Sequence, residues 1–315
     1  MVDGFVLRRN QDLVADLQIA PGKLLRPTIL LLSAQLCYGA QYGKELDAET
    51  RQMALKAAVA VEAIHTASLW HDDVLDCSPL RRGQQSVPEL LGNRQAVLYG
   101  DMLMTQALNL IACLGNLSLL TDLTQVIMAM SQAQIKEQDQ RGDTQTSLES
   151  YLEIIGGKTA SLLAYCCLLG AVIGQGSQEE VSQLRRYGHN LGLAFQVGDD
   201  ILDIWGDPQQ TGKIALGDLE ENNLTLPILL ARDSATPEQR DRLLALLGLP
   251  ASEVAQQLPR LLTETEALPQ ALGYAHRFSL KAESELANWP DSQELQLLLE
   301  LARWSGRLEQ LSSSN

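Results

Sequence analysis

The sequence predicts a single all-α domain, and three observations carry that prediction. Apolar residues recur at helical spacing from about residue 25 to about residue 310, and 45% of the chain is hydrophobic. No alternating apolar and polar stretch of useful length reads as a strand, and no Pro/Gly/Ser-rich linker or internal repeat divides the 315 residues. Helix starts are punctuated chemically as well. Ser177-x-x-Glu180 and Thr236-Pro237-x-Gln239 have the capping-box pattern, the second with Pro at the favoured first helical position.

Taken in order, the elements follow from this punctuation. Pro27 precedes the first long apolar run, and residues 53 to 76 (MALKAAVAVEAIHTASLWHDDVLD) form a breaker-free helical segment. Residues 77 to 93 (CSPLRRGQQSVPELLGN) break the rhythm with Gly, Pro and polar groups. The run at 159 to 174 (TASLLAYCCLLGAVIG) is short for a membrane span, contains Gly and reads as a buried core helix. Residues 187 to 205 (YGHNLGLAFQVGDDILDIW) are helical, and residues 206 to 227 form a second irregular segment before Pro227 opens another apolar run. Loops of this length inside a compact domain are usually functional. The first 20 or so residues and the last five are expected to fray.

Bulk composition excludes several functions. A net charge of −15 lacks the basic surface that a nucleic-acid backbone requires. The five cysteines form no CxxC and are odd in number, which argues against a disulfide framework or a zinc site and for a reducing, cytoplasmic setting. The N-terminus lacks the apolar core of a secretory signal.

The most specific feature is a repeated aspartate triplet: Asp72-Asp73-x-x-Asp76 and Asp199-Asp200-x-x-Asp203. With 19 Asp in the chain, chance placement gives such a triplet roughly 0.07 times. On a helix the three positions fall within about 100° of arc, so each triplet can offer three carboxylates to a hard divalent cation. Both lie near helix C-termini, where the macrodipole and the neighbouring like charges disfavour them and a cation would reverse the penalty.

Basic residues gather at motifs: Lys23 and Arg26 in GKLLRP, Arg81 and Arg82 five residues after the first triplet, Lys158 in Gly157-Lys158-Thr159, and Lys213 in the second loop. Together with the triplets they describe a site for two polyanions and bridging Mg²⁺.

These motifs, GKLLRP, EAIHTASLWHDDVLD, LRRG, GKT and FQVGDDILD followed by GK, stand in the order found in trans-type polyprenyl diphosphate synthases, which the chain resembles from about residue 20 to about residue 230. The resemblance implies an isoprenoid-synthase type helical bundle around a deep central apolar cavity, with the triplets facing each other across its mouth. It implies Asp72, Asp76 and Asp199 as principal ligands of about three Mg²⁺ ions, with Asp73, Asp200 and Asp203 completing the shell. Arg81, Lys158 and Lys213 would hold an allylic diphosphate such as farnesyl diphosphate. Lys23, Arg26, His65 and Arg82 would hold isopentenyl diphosphate, and Thr159 and Gln196 would direct oxygen dipoles at the reacting carbons. It also implies a homodimer, and a long product expected to need a membrane for its release.

Product length is expected to be set upstream of the first triplet. One helical turn covers about 5.4 Å, near one isoprene unit, and a turn above Asp72 stand Ala67 and Ser68, followed by Ala63 and Ala60. Short-chain relatives carry a bulky aromatic near 67 and 68, so small residues here point to a long-chain polyprenyl product. Three alternatives stand beside this: a short-chain farnesyl or geranylgeranyl synthase whose stop comes from residues 98 to 114, a terpene cyclase, or a non-catalytic subunit of a heteromeric synthase. The second triplet and LRRG favour elongation over cyclisation, and retention of both triplets argues against an inactive subunit. Departures from the family pattern are Leu24 and Asn223 at frequently basic positions, Gln84-Gln85 after LRRG, and Trp70 beside the triplet, which is expected to pack against a neighbouring helix.

Overall fold

The protein is described by a computed structural model, which covers residues 24–81, 83–206 and 216–306. Lys23, Arg82, Lys213 and both chain ends therefore lie outside the described residues. Helix α1 (Leu25–Tyr42) leads to α2 (Ala48–Leu75), whose start is capped by the Asp47 side chain accepting from the Thr50 N–H at 2.8 Å. The first irregular segment holds a two-residue antiparallel hairpin, Leu80–Arg81 with Gln84–Gln85, and a short α3 (Val87–Leu91). That hairpin is the one departure from all-helical structure among the described residues, and two-residue strands are too short to leave an alternating pattern.

Helix α4 (Asn93–Ala112) runs back along α2, and α5 (Leu117–Asp139) follows. Next come α6 (Leu148–Ile155), one π-helical turn at Gly156–Ala160, and α7 (Ser161–Ile173), joined without a break. By length and composition, Leu148–Ile173 is apolar enough to cross a membrane, but 72% of its most apolar window is buried inside the protein. It is the core helix that the sequence led us to expect.

Helix α8 (Gln178–Trp205) starts on the Ser177/Glu180 capping box and ends beside the second triplet. The described segments then continue with α9 (Gly217–Glu220), α10 (Leu226–Ser234), α11 (Pro237–Leu247), α12 (Ala251–Val254), α13 (Gln257–Glu264), α14 (Ala267–Glu285) and α15 (Gln293–Gly306). The Thr236/Gln239 capping box opens α11.

Two apolar cores meet along α8. Leu184, Tyr187 and Leu191 pack with α1, α2 and α7, whereas Leu193, Val197 and Ile201 pack with the later helices α10 to α14. Each fully buried Leu or Ile contributes roughly 1.5–3 kcal/mol relative to exposure, so both triplet-bearing helices are anchored well below their carboxylates. Glycines set how near the backbones come. A Cβ on Gly188 would lie 2.6 Å from the Leu163 carbonyl oxygen, and one on Gly192 would lie 2.5 Å from the Ala160 Cα. Only glycine lets α8 lie this close to α7 and the π-turn. Trp70 is 5% exposed and packs with Val87 and Ala96, as expected from sequence.

Candidate active site

The site is assembled from the C-terminal ends of α2 and α8, the end of α5, the π-turn and residues 216–225. The π-turn is the local feature that makes it possible. An α-helix carried straight through 148–173 would rotate successive side chains by a fixed step, and the wider turn adds a residue that resets this phase. Lys158 then reaches Glu137 on α5, to which its Nζ donates, while Thr159 Oγ1 donates to Gln196 Oε1 on α8 at 2.8 Å. Gly157 is what allows the turn to press on α5: a Cβ there would lie 2.7 Å from Ala133 Cβ and 2.9 Å from the Ala129 carbonyl oxygen.

The six aspartates are not equivalent. Asp73 is buried, and its Oδ1 accepts from Arg81 Nε at 2.6 Å across the turn that follows α2. Asp200 is buried too: its Oδ2 accepts from Tyr151 Oη at 2.5 Å and its Oδ1 from Gln196 Nε2 at 3.0 Å. Asp203 accepts from the backbone N–H groups of Gly217 at 3.0 Å and Asp218 at 3.3 Å, tying the end of the second loop to α8. Asp72, Asp76 and Asp199 are half-buried. The expectation of three like carboxylates on each helical face is therefore replaced by a division of labour. Asp73, Asp200 and Asp203 are held by donors of their own neighbourhood, the turn after α2, α6 and α8, and the start of α9, and Asp76 is held by Gln138 and Arg141 at the end of α5.

Electrostatics follow from burial and crowding. Loss of water pushes the Asp72 carboxyl up to about 6; Lys158 counters this, and Asp76 and Glu137 reinforce it. Burial raises Asp73 against the opposing pull of Arg81. Asp200 is pushed up to about 7, chiefly by burial and further by Asp199, although Tyr151 and Gln196 favour its charged form. Glu221 likewise rises to about 7 by burial and by the nearby Asp76. Burial alone would lower Lys158, but Glu137 and Asp72 outweigh it and hold the ammonium charged.

Sequence reasoning passed over several of these residues. Arg141, just beyond α5, donates to Asp76 Oδ1, and its Nη2 lies 3.9 Å from Glu221 Oε2. Gln138 Nε2 donates to the same Asp76 oxygen at 3.4 Å. Glu137, Gln138 and Arg141 lie within about one turn, a polar patch at the end of a helix whose middle is apolar, and that spacing was the available signal. Tyr151 had none, because its register to Lys158 depends on the π-turn.

Of the remaining expected residues, Arg26 stands in the first turn of α1 and, with Glu62, acts electrostatically on the buried Cys166. This puts it on the same side of the bundle as the Glu62–His65 face of α2. His65 is half-buried, and its carbonyl accepts from Ser68 Oγ at 2.9 Å. Ala67 is fully buried. A cavity of about 130 Å³ lies beside Lys158, Thr159, Gln196 and Asp200, walled also by Ile154, Ile155 and Leu224, and neither Ala67 nor Ser68 lines it. Beside the first triplet α4 lies close along α2 and the two helices form a seam: a Cβ on Gly100 would sit 2.2 Å from His71 Nε2.

A divalent cation suits this donor set. Carboxylates outnumber the cations near them, and burial, reinforced by neighbouring carboxylates, pushes Asp72 and Glu221 up to about 6 and 7 despite the nearby Lys158. Among the described residues no group of three acidic, His or Cys side chains is placed to hold a metal ion by itself, so an ion here would need ligands from outside the protein. That fits Mg²⁺, which binds through one or two carboxylates and completes its shell with water and phosphate oxygens.

Comparison with known proteins bears on all of this. Residues 9–264 match the family described as polyprenyl synthetase. The chain is 41% identical over 212 residues to solanesyl diphosphate synthase 1 of Arabidopsis thaliana, covering 67% of this chain and about half (51%) of the plant protein's length. Among solved structures it is similar to a decaprenyl diphosphate synthase from Rhodobacter capsulatus (30% identity, TM-score 0.85, covering 96% of this chain and 90% of the other). It is also similar to a Caulobacter crescentus polyprenyl synthase complexed with calcium and isoprenyl diphosphate (34% identity, TM-score 0.82, covering 92% and 86%).

Proposed function

The chain belongs to the polyprenyl synthetase family, and we propose that it condenses isopentenyl diphosphate with an allylic diphosphate in repeated trans 1′–4 additions, Mg²⁺-dependent, to give a long polyprenyl diphosphate. The observation that carries the reading is the approach of α2 and α8 on either side of Lys158 and Thr159, each helix ending in an aspartate triplet. Asp72, Asp76 and Asp199 would hold the metal, whose charge would neutralise the departing diphosphate.

The chain's own groups supply the rest. Lys158, kept charged by Glu137 and Asp72, would hold the diphosphate oxygens as the allylic C–O bond breaks. The Thr159 hydroxyl is fixed by its bond to Gln196, and the Gln196 amide is fixed in turn by Asp200, so both oxygens keep one orientation beside the reaction space. Such preset dipoles suit an allylic cation, which forms no bond to the protein. Apolar walls would keep water from that cation while the isopentenyl double bond attacks. The new carbocation would then lose a proton from its neighbouring carbon to the released diphosphate, and no protein nucleophile is needed.

The long-chain reading rests on Ala67, Ser68, Ala63 and Ala60, small residues along the α2 seam that a growing tail could part. Homodimerisation and a cytoplasmic location belong to the same proposal, the latter on the odd number and the spacing of the five cysteines. The test is incubation of the purified protein with farnesyl diphosphate, labelled isopentenyl diphosphate, Mg²⁺ and detergent. Label in prenyl products longer than geranylgeranyl supports the reading. Label in shorter products alone removes the long-chain claim, and no incorporation removes the elongation claim.

A further inference from the structure

We propose that Arg141 is a further diphosphate-binding residue, parked on Asp76 until a metal ion claims that carboxylate. The inference rests on the site reading above and adds a cation that no motif marked.

Three observations support it. The Arg141 guanidinium already lies between the two halves of the site, donating to Asp76 at the end of α2 and standing 3.9 Å from Glu221 in the segment after the second triplet. Its Nε is buried and has no hydrogen-bond partner. A guanidinium presents five donors in a fixed fork, and one left unpaired in a buried position is destabilising, a cost that a diphosphate oxygen would remove. Finally, the side chain is not sealed in; 22% of it is exposed.

The backbone holds Arg141 where a cation is short. The N–H of Gly142 donates to the Asn222 carbonyl at 2.8 Å, fixing the turn after α5 against the start of the irregular segment 222–225. The adjacent Asn223 is neutral where a basic residue was expected, and its buried Oδ1 is itself without a partner. Positive charge at this wall of the site therefore comes from the end of α5. Because Arg141 and a metal ion compete for Asp76, metal arrival frees the guanidinium, and a metal-bound diphosphate is the anion that then lies within its reach.

The full chain, in its parent form and as Arg141→Met and Arg141→Gln, is titrated by calorimetry with Mg²⁺ alone, with Mg²⁺ plus inorganic pyrophosphate, and with isopentenyl diphosphate in the absence of metal. Gln at 141 keeps a donor for Asp76 without the charge, so it preserves the fold should Met not. The expected result is that Mg²⁺–pyrophosphate binds about tenfold more weakly to both variants, the loss of one charge-assisted contact. Mg²⁺ alone binds equally well or more tightly, and metal-free isopentenyl diphosphate is unaffected. Folded variants that bind Mg²⁺–pyrophosphate within twofold of the parent overturn the proposal, as does equal weakening of Mg²⁺ alone, which would reduce Arg141 to a prop for Asp76. A parent chain that binds no Mg²⁺–pyrophosphate overturns instead the site reading on which it rests.

Discussion

Replacing Tyr151 with Phe removes one oxygen atom, yet the structure predicts a loss of turnover. Tyr151 Oη donates to Asp200 Oδ2 at 2.5 Å, Gln196 Nε2 donates to Asp200 Oδ1 at 3.0 Å, and Thr159 donates to Gln196 Oε1 at 2.8 Å. Asp200 is buried, so losing one of its donors leaves a desolvated carboxylate short by one bond to a charged group, worth about 1.5–3 kcal/mol. At about 2.1 cal/mol/K per residue of unfolding entropy, this corresponds to a fall in Tm of about 2–5 °C for a chain of this length. The pH dependence carries a sign. Folding raises the Asp200 carboxyl from 3.8 to about 7, so the folded state is penalised as pH rises through that interval, and the tyrosine bond reduces the penalty by favouring the charged form. The variant's stability deficit should therefore be largest above pH 7 and shrink below pH 6. Once Asp200 shifts, Gln196 and Thr159 lose their fixed orientation, and kcat should fall about 10- to 100-fold, the cost of a displaced reacting-centre dipole, with KM for both substrates little changed. Calorimetric melts at pH 5.5 and 8 and steady-state kinetics with labelled isopentenyl diphosphate read both effects. A folded variant with kcat within twofold of the parent, or a Tm deficit independent of pH, refutes the relay.

Three other outcomes are expected. Mg²⁺ binding should release protons, because Asp72 and Glu221 are pushed up to about 6 and 7: affinity rises about tenfold per pH unit for each proton released below pH 6 and levels off above pH 7. Calorimetry in two buffers of different ionisation enthalpy counts those protons, and a count of zero at pH 6 contradicts the desolvation argument. Ala67→Phe should shorten the product, as seen by chromatography of the prenyl alcohols. It should also cost about 1–3 kcal/mol, since Ala67 is fully buried; unchanged chain length would sink the α2 seam as the tail's path. Gly157→Ala places a Cβ 2.7 Å from Ala133 Cβ and should destabilise by about 1–3 kcal/mol. It should also raise KM for the allylic substrate by displacing Lys158, and a variant with parental Tm and KM would show that the π-turn yields without consequence.

The helices were legible because their signals are local. Capping boxes at Ser177 and Thr236 and the apolar period of 53–76 need no distant partner to form. Both triplets were legible because a chance pair is so rare. What stayed hidden depends on phase and on partners brought from far along the chain. A π-turn at Gly156–Ala160 leaves no compositional mark, yet it alone decides that Lys158 meets Glu137 while Thr159 meets Gln196. Spacing gives Asp72, Asp73 and Asp76 one helical face, but only the fold reveals that Arg81 takes Asp73 and that Arg141, 65 positions away, takes Asp76.

Those pairings bear on how an acidic protein can bind anions. Among the described residues of the site, Arg81, Arg141 and Lys158 are each matched to a carboxylate: Asp73, Asp76 and Glu137. Asp72, Asp199, Asp200, Asp203 and Glu221 add further negative charge. A diphosphate arriving alone would meet net repulsion and cations already engaged. A divalent ion arriving first, or together with the diphosphate, would neutralise the carboxylates and loosen their hold on the basic side chains. The paired arrangement is therefore the form in which a site rich in both signs stays folded without ligand. If the chain binds diphosphate as proposed, this charge balance would favour metal binding before or with the diphosphate.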